Sequence, residues 1–299
     1  MASSFIDQSL DIANVVMIVV EGVLLPMILV SMVKYVKRFG KTKDPYTFYT
    51  FVLLSLSLFA DVCVAPLLLY YAVNDFTPEE RKAQPMGLKC YSEATWELSK
   101  CFFNLAISVN ATRWALLILQ ATMDRSSVEY LKAVKIFKSI LVVSSVVILL
   151  MTIVTTGAFC ILQQDVKREP GGVLYFGLIS GALQLAACLL CIGVYIQAYR
   201  IFSNQLKGQE HCSSFTHGDK HNESVDSSMH RSNQILEQYK VLGSMRRLFL
   251  VISVVVLYRQ GIEFSLVVYK YPKQIYFLLL FLRKIGTLSV VVILLCTIR

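Results

Sequence analysis

The chain is short of almost everything that catalysis draws on. Its four histidines, His211, His217, His221 and His230, all fall in one polar stretch, so no apolar segment carries a histidine-rich metal set or a Ser–His pair. Their spacing around Cys212 matches no compact zinc pattern, and no glycine-rich phosphate loop is present. The expectation is therefore no enzyme, no resident metal and no cofactor. Polar sequence is scarce as well. Only residues 200–245 form an extended polar run, too little for a soluble catalytic domain, so function is expected within apolar segments or the short loops between them. Residues 1–11 contain Asp7 and Asp11 but no basic side chain, which excludes the charged start of a cleavable signal and predicts that the first apolar segment is an uncleaved anchor. No internal repeat is visible. Pro26 has no counterpart in the fifth apolar stretch, which argues against a transporter built from repeated halves.

What the chain does have is apolar length. Hydrophobic residues make up 56% of its 299 residues and the mean hydropathy is +0.59. A hydrocarbon core about 30 Å thick takes roughly 20 helical residues to cross. Stretches at 12–33, 47–73, 98–123, 137–162, 173–199, 247–269 and 275–298 meet that length. They predict an all-α polytopic protein, a single seven-helix membrane domain over 1–299, in the plasma membrane or an endomembrane. The net charge of +9 is then no sign of nucleic acid. Basic residues that follow the first span (Lys34, Lys37, Arg38, Lys41, Lys43), the third and the fifth outnumber those on the opposite face. The positive-inside rule therefore puts the N-terminus outside and the C-terminus inside.

The fifth loop is rich in Ser, His, Asp, Glu and Asn, and its composition predicts disorder over 203–234 on the cytoplasmic side. Most cysteines fall within spans and read as small apolar residues, the pair Cys188 and Cys191 included. Cys90 and Cys160 fall at the outer side. They are candidates for a disulfide in an oxidising compartment, and two free thiols is the alternative.

Charged side chains inside a hydrocarbon layer are costly and face the bundle interior. Glu21 falls in the first span, Asp61 in the second, Arg113 in the third, Arg259 and Glu263 in the sixth, and Arg283 and Lys284 in the seventh. Arg259 and Glu263 are spaced to share one helix face. Glu21 is able to meet Arg283 or Lys284 if the first and last spans are neighbours. Of the adjacent Arg283 and Lys284, one is expected to face the bundle while the other snorkels toward the headgroups. Internal packing pairs and a ligand or ion pocket formed by Glu21, Asp61, Arg259, Glu263, Arg283 and Lys284 are both open readings. Asn104, Ser108, Asn110 and Thr112 add interhelical hydrogen-bonding groups to the third span.

Seven helices, an outside N-terminus, basic inner loops and a long fifth loop resemble the G-protein-coupled receptors. Leu58-Phe59-Ala60-Asp61 looks like the leucine and aspartate element of that superfamily's second span, and Asp124-Arg125 is similar to its acidic–arginine pair at the inner end of the third. Cys90 and Cys160 would correspond to its outer disulfide. The chain has no Asn-Pro-x-x-Tyr in the seventh span and no Cys-Trp-x-Pro in the sixth. Proteins of the tobamovirus-multiplication type have a similar layout. A microbial-type rhodopsin would use Lys284 to hold retinal, but Trp96 and Trp114 are the only tryptophans for its cage. The resemblance implies a receptor that senses an unknown ligand in the outer half and signals through Asp124, Arg125, Arg246 and Arg247 to a heterotrimeric G protein or another cytoplasmic partner. A small-solute or ion transporter or channel that uses the intramembrane charges is the alternative.

Overall fold

A bilayer core offers backbone amides no water, so a spanning segment has to satisfy its hydrogen bonds internally, and a helix does this within one segment. The computed structural model describes residues 2–39, 45–64, 66–67, 86–162, 171–216, 250–251, 253–262, 265 and 273–298. Among them there is no strand. The helices are α1 (Ala2–Phe39), α2 (Pro45–Cys63), α3 (Met86–Thr122), α4 (Val128–Leu162), α5 (Gly171–Thr216), α6 (253–262) and α7 (Lys273–Ile298). Five are long and apolar enough to cross a membrane: Ile18–Lys37, Pro45–Cys63, Cys90–Gln120, Val128–Ile161 and Leu178–Asn204. They mark the chain as an integral membrane protein.

Helix ends follow local chemistry. Pro45 opens α2, where a missing N–H costs nothing. Ser127 caps α4, its hydroxyl accepting the Tyr130 amide at 3.1 Å. Helices α1, α3, α4 and α5 all outrun the predicted spans, α3 and α5 by the most at a single end. α3 begins at Met86 rather than 98, because Glu93 and Glu97 lower the hydropathy of a segment that is nonetheless helical. α5 continues to Thr216, so residues 203–216 are helical where composition predicts disorder. Ile201 and Phe202 pack against the core at the start of that extension. The rest of the predicted disordered loop lies outside the described residues.

α3 is the axis of the assembly. It packs against α2, α4 and α5; α4 also meets α5, and α1 meets both α2 and α7. Around the middle of α3, Phe103, Ala106 and Ile107 join Ile28 of α1, Phe51, Leu54 and Leu58 of α2, Val256 of α6 and Val290 and Val291 of α7. Further along, Ala115, Leu116, Ile118 and Leu119 pack on Phe137 of α4 and Val194, Tyr195 and Ala198 of α5. Val16, Val19, Val23 and Val30 of α1, like Val142, Val146 and Ile153 of α4, are exposed. Lipid tails solvate such side chains as well as protein does.

Candidate functional site

Polar side chains run down one face of α3. Glu93, Glu97, Lys100, Asn104 and Ser108 recur at three- and four-residue intervals, the spacing of a single helix face. Glu97, Asn104 and Ser108 are buried, and the carboxylate of Glu97 pairs with the ammonium of Lys100 within the stripe. Below that pair, Asn104 ties three helices together. Its Nδ2 donates to Gln184 Oε1 of α5 at 3.0 Å, and its Oδ1 accepts from Gln260 Nε2 of α6 at 3.2 Å. Gln184 in turn donates to Ser180 at 3.4 Å. Ser57 of α2 donates to the Ser99 carbonyl at 3.0 Å, fixing α2 beside the same stripe.

Charges from the other helices converge on this end of α3. Glu21 of α1 is completely buried, and its Oε2 accepts from Lys284 Nζ of α7 at 3.0 Å. Asp61 of α2, half-buried, is close enough to repel the Glu21 carboxylate, while Arg283 attracts it. The Arg283 guanidinium lies 3.6 Å from the ring centre of Trp96, and that of Arg259 lies 3.9 Å from the ring centre of Phe103. Planar guanidinium on an aromatic face is favourable and strengthens when water is excluded. Arg283 also attracts the carboxylate of Glu93. Opposite charges therefore sit together inside the bundle, the arrangement that makes burial of ions tolerable. Glu21 Oε1 and Glu97 Oε2 have no hydrogen-bond partner among the described residues.

Several expectations change on this geometry. Arg283 and Lys284 are both buried, so neither snorkels; they point to different partners, Trp96 and Glu21, from consecutive positions about 100° apart. Arg113 is half-buried beside Trp114, 5.0 Å from its ring centre. Glu263, Arg246 and Arg247 lie outside the described residues. Cys90 and Cys160 are free thiols, yet α3 and α4 set them side by side in hydrogen-bonding contact. Glu93, Glu97, Lys100, Gln184 and Gln260 were not singled out by sequence. The signal that finds Glu93, Glu97 and Lys100 is the α3 stripe itself, which continues the periodicity of Asn104 and Ser108 upstream; Gln184 and Gln260 lie on other helices and carry no such signal.

At the far end of α3, the Asp124–Arg125 turn is exposed. Asp124 spends both carboxylate oxygens on Ser126, accepting its amide at 3.1 Å and its hydroxyl at 2.7 Å. These bonds hold the Asp124 carboxyl below its ordinary pKa. Among the described residues, no three His, Cys, Asp or Glu side chains converge in a way that could hold a metal.

No protein-family model, no curated protein and no solved structure matches this chain.

Proposed function

We propose that the chain crosses its membrane seven times, with the N-terminus outside, and works as a receptor-like signalling protein. The observation that carries this is the joining of buried charges from α1, α6 and α7 at one end of α3, whose other end forms the Asp124–Arg125 turn. A ligand in the outer half that competes for Glu21, Asp61, Arg259, Arg283 or Lys284 exchanges one set of ion pairs for another. Tightly packed helices respond to such an exchange in discrete steps, and a ligand shifts them only by its differential affinity for the two arrangements. The inner turn, with Arg246 and Arg247 from the loop before α6, then meets a G protein or another cytoplasmic partner.

Ligand-dependent nucleotide exchange on a G protein, lost in Arg125→Ala and in Glu21→Gln, is the expected result. A second reading, transport of a small solute or ion, draws on the two buried carboxylate oxygens left without hydrogen-bond partners. Solute flux into liposomes that contain the purified chain and nothing else would replace the receptor reading with that one.

A further inference from the structure

One end of α4 carries a combination that the signalling reading does not use. Leu131, Lys135, Lys138, Ser139, Val142 and Val143 line a shallow, open concavity on the surface of the bundle. Lys135, Lys138 and Ser139 are exposed, and Lys132, one turn before Lys135, is exposed too. Val142 is 62% exposed and Val143 59%. The depth of these residues follows from the sequence of α4. Residues 141–160 contain no charged side chain and match the roughly 20 residues that cross a hydrocarbon core. At about 1.5 Å per residue, Lys138 stands about 5 Å and Lys135 about 9 Å beyond the start of that apolar run. The headgroup layer on each side is about 5–8 Å thick, so Lys138 sits at the level of the lipid phosphates and Lys135 at the outer edge of the headgroups. The valines below them sit at the level of the first acyl carbons.

We propose that this concavity binds an anionic glycerophospholipid, with its phosphate between Lys135 and Lys138, Ser139 donating to a phosphate oxygen, and an acyl chain lying along Val142 and Val143. Charge complementarity selects the occupant. Two cations at headgroup depth over an apolar seat fit an anionic amphiphile and have little to offer a zwitterionic one, whose own ammonium the lysines repel. A free phosphate ion would fit the lysines but leave the valines unused. The site faces away from the ion pairs around α3, so it stands whether the chain is a receptor or a transporter.

Native mass spectrometry of the full-length chain in detergent tests this, with dioleoyl phosphatidic acid and dioleoyl phosphatidylcholine as probes. The expected result is preferential retention of phosphatidic acid, weakened about thirty-fold in Lys135→Gln/Lys138→Gln. The pair Lys34→Gln/Lys37→Gln, exposed on α1, is expected to change retention less than about two-fold. Val143→Trp fills the seat with the lysines intact and is expected to weaken retention as well. Equal retention of the two lipids by the unaltered chain would overturn the proposal. So would an equal loss in both lysine pairs, unchanged retention in Val143→Trp, or displacement of phosphatidic acid by inorganic phosphate at matched concentration.

Discussion

α3 and α4 lie against each other, are nearly equal in length, and are made on opposite principles. An 18-residue stretch within Val128–Ile161 of α4 has a mean hydropathy of 2.4 and is 22% buried; the corresponding stretch within Cys90–Gln120 of α3 has 1.4 and is 78% buried. The less apolar helix is the core, the reverse of a water-soluble protein. With lipid outside, exposing valine or isoleucine costs little, whereas an amide or a carboxylate has to find its partner inside. α3 therefore carries Glu97, Lys100, Asn104 and Ser108 inward, and α4 turns Val142, Val146 and Ile153 outward. Polarity, rather than apolarity, marks the inward side of this molecule.

The strongest way to break this contrast is to strand a charge on the buried side. Glu21→Leu leaves Lys284 without its counter-ion in a dry interior and is expected to destabilise the protein by about 3–5 kcal/mol. Lys284→Leu on top of it should recover most of that loss, since the desolvation cost then disappears with the charge. Thermal unfolding in detergent measures both. A double variant as unstable as the single one would mean that the pair is not what Glu21 contributes.

A second comparison lies within α4. Ile148 is fully buried against Cys101, Leu105 and Ala187, whereas Ile153 is 71% exposed. Ile148→Ala should cost about 2–5 kcal/mol through the cavity it leaves, and Ile153→Ala should stay within about 0.5 kcal/mol. Similar losses at both sites would show that the outer face of α4 is covered by protein rather than lipid. A milder change on α3, Asn104→Leu, removes the group between Gln184 and Gln260. The expected cost is about 1–2 kcal/mol, since interhelical hydrogen bonds in membranes are individually modest.

The same contrast explains how much of the molecule the sequence disclosed. The helices were legible where apolar residues run without interruption: α7 begins two residues from its expected start, and the apolar run of α4 ends where expected. The start of α3 was not, because Glu93 and Glu97 look like loop residues until their surroundings are known. Glu21, Arg259, Arg283 and Lys284 stood out because a charge within an apolar run is rare and has to be accounted for. Their partners did not stand out. Trp96 and Phe103 seat guanidinium groups through the relative rotation of α3, α6 and α7, and no local pattern encodes that rotation. Gln184 and Gln260 are uncharged amides with no periodic pattern around them and acquire meaning only through Asn104.

The junction between α3 and α4 gives two finer tests. At one end of the pair, Cys90 and Cys160 are close enough that a mild oxidant should link them as a disulfide, detectable by peptide mass, with the fold retained. Failure to link would place those ends of α3 and α4 apart in the membrane.

At the other end, the effect is smallest and reports on one turn. Asp124 has its carboxyl lowered below the ordinary value of 3.8, by the Ser126 hydroxyl first and the Ser126 amide second. A group with a lowered pKa in the folded state contributes order that is fully present above its unfolded pKa and is lost as pH falls through the folded one. The Ser126 amide should therefore stay protected from hydrogen exchange when pH drops past the usual aspartate range, and open only in more acidic solution. Asp124→Asn should abolish that pH step while leaving the unfolding temperature unchanged, because the turn is fully exposed. An amide that opens at the ordinary aspartate pKa would mean that Ser126 does not hold the carboxylate, leaving Asp124 free to face Arg125 instead.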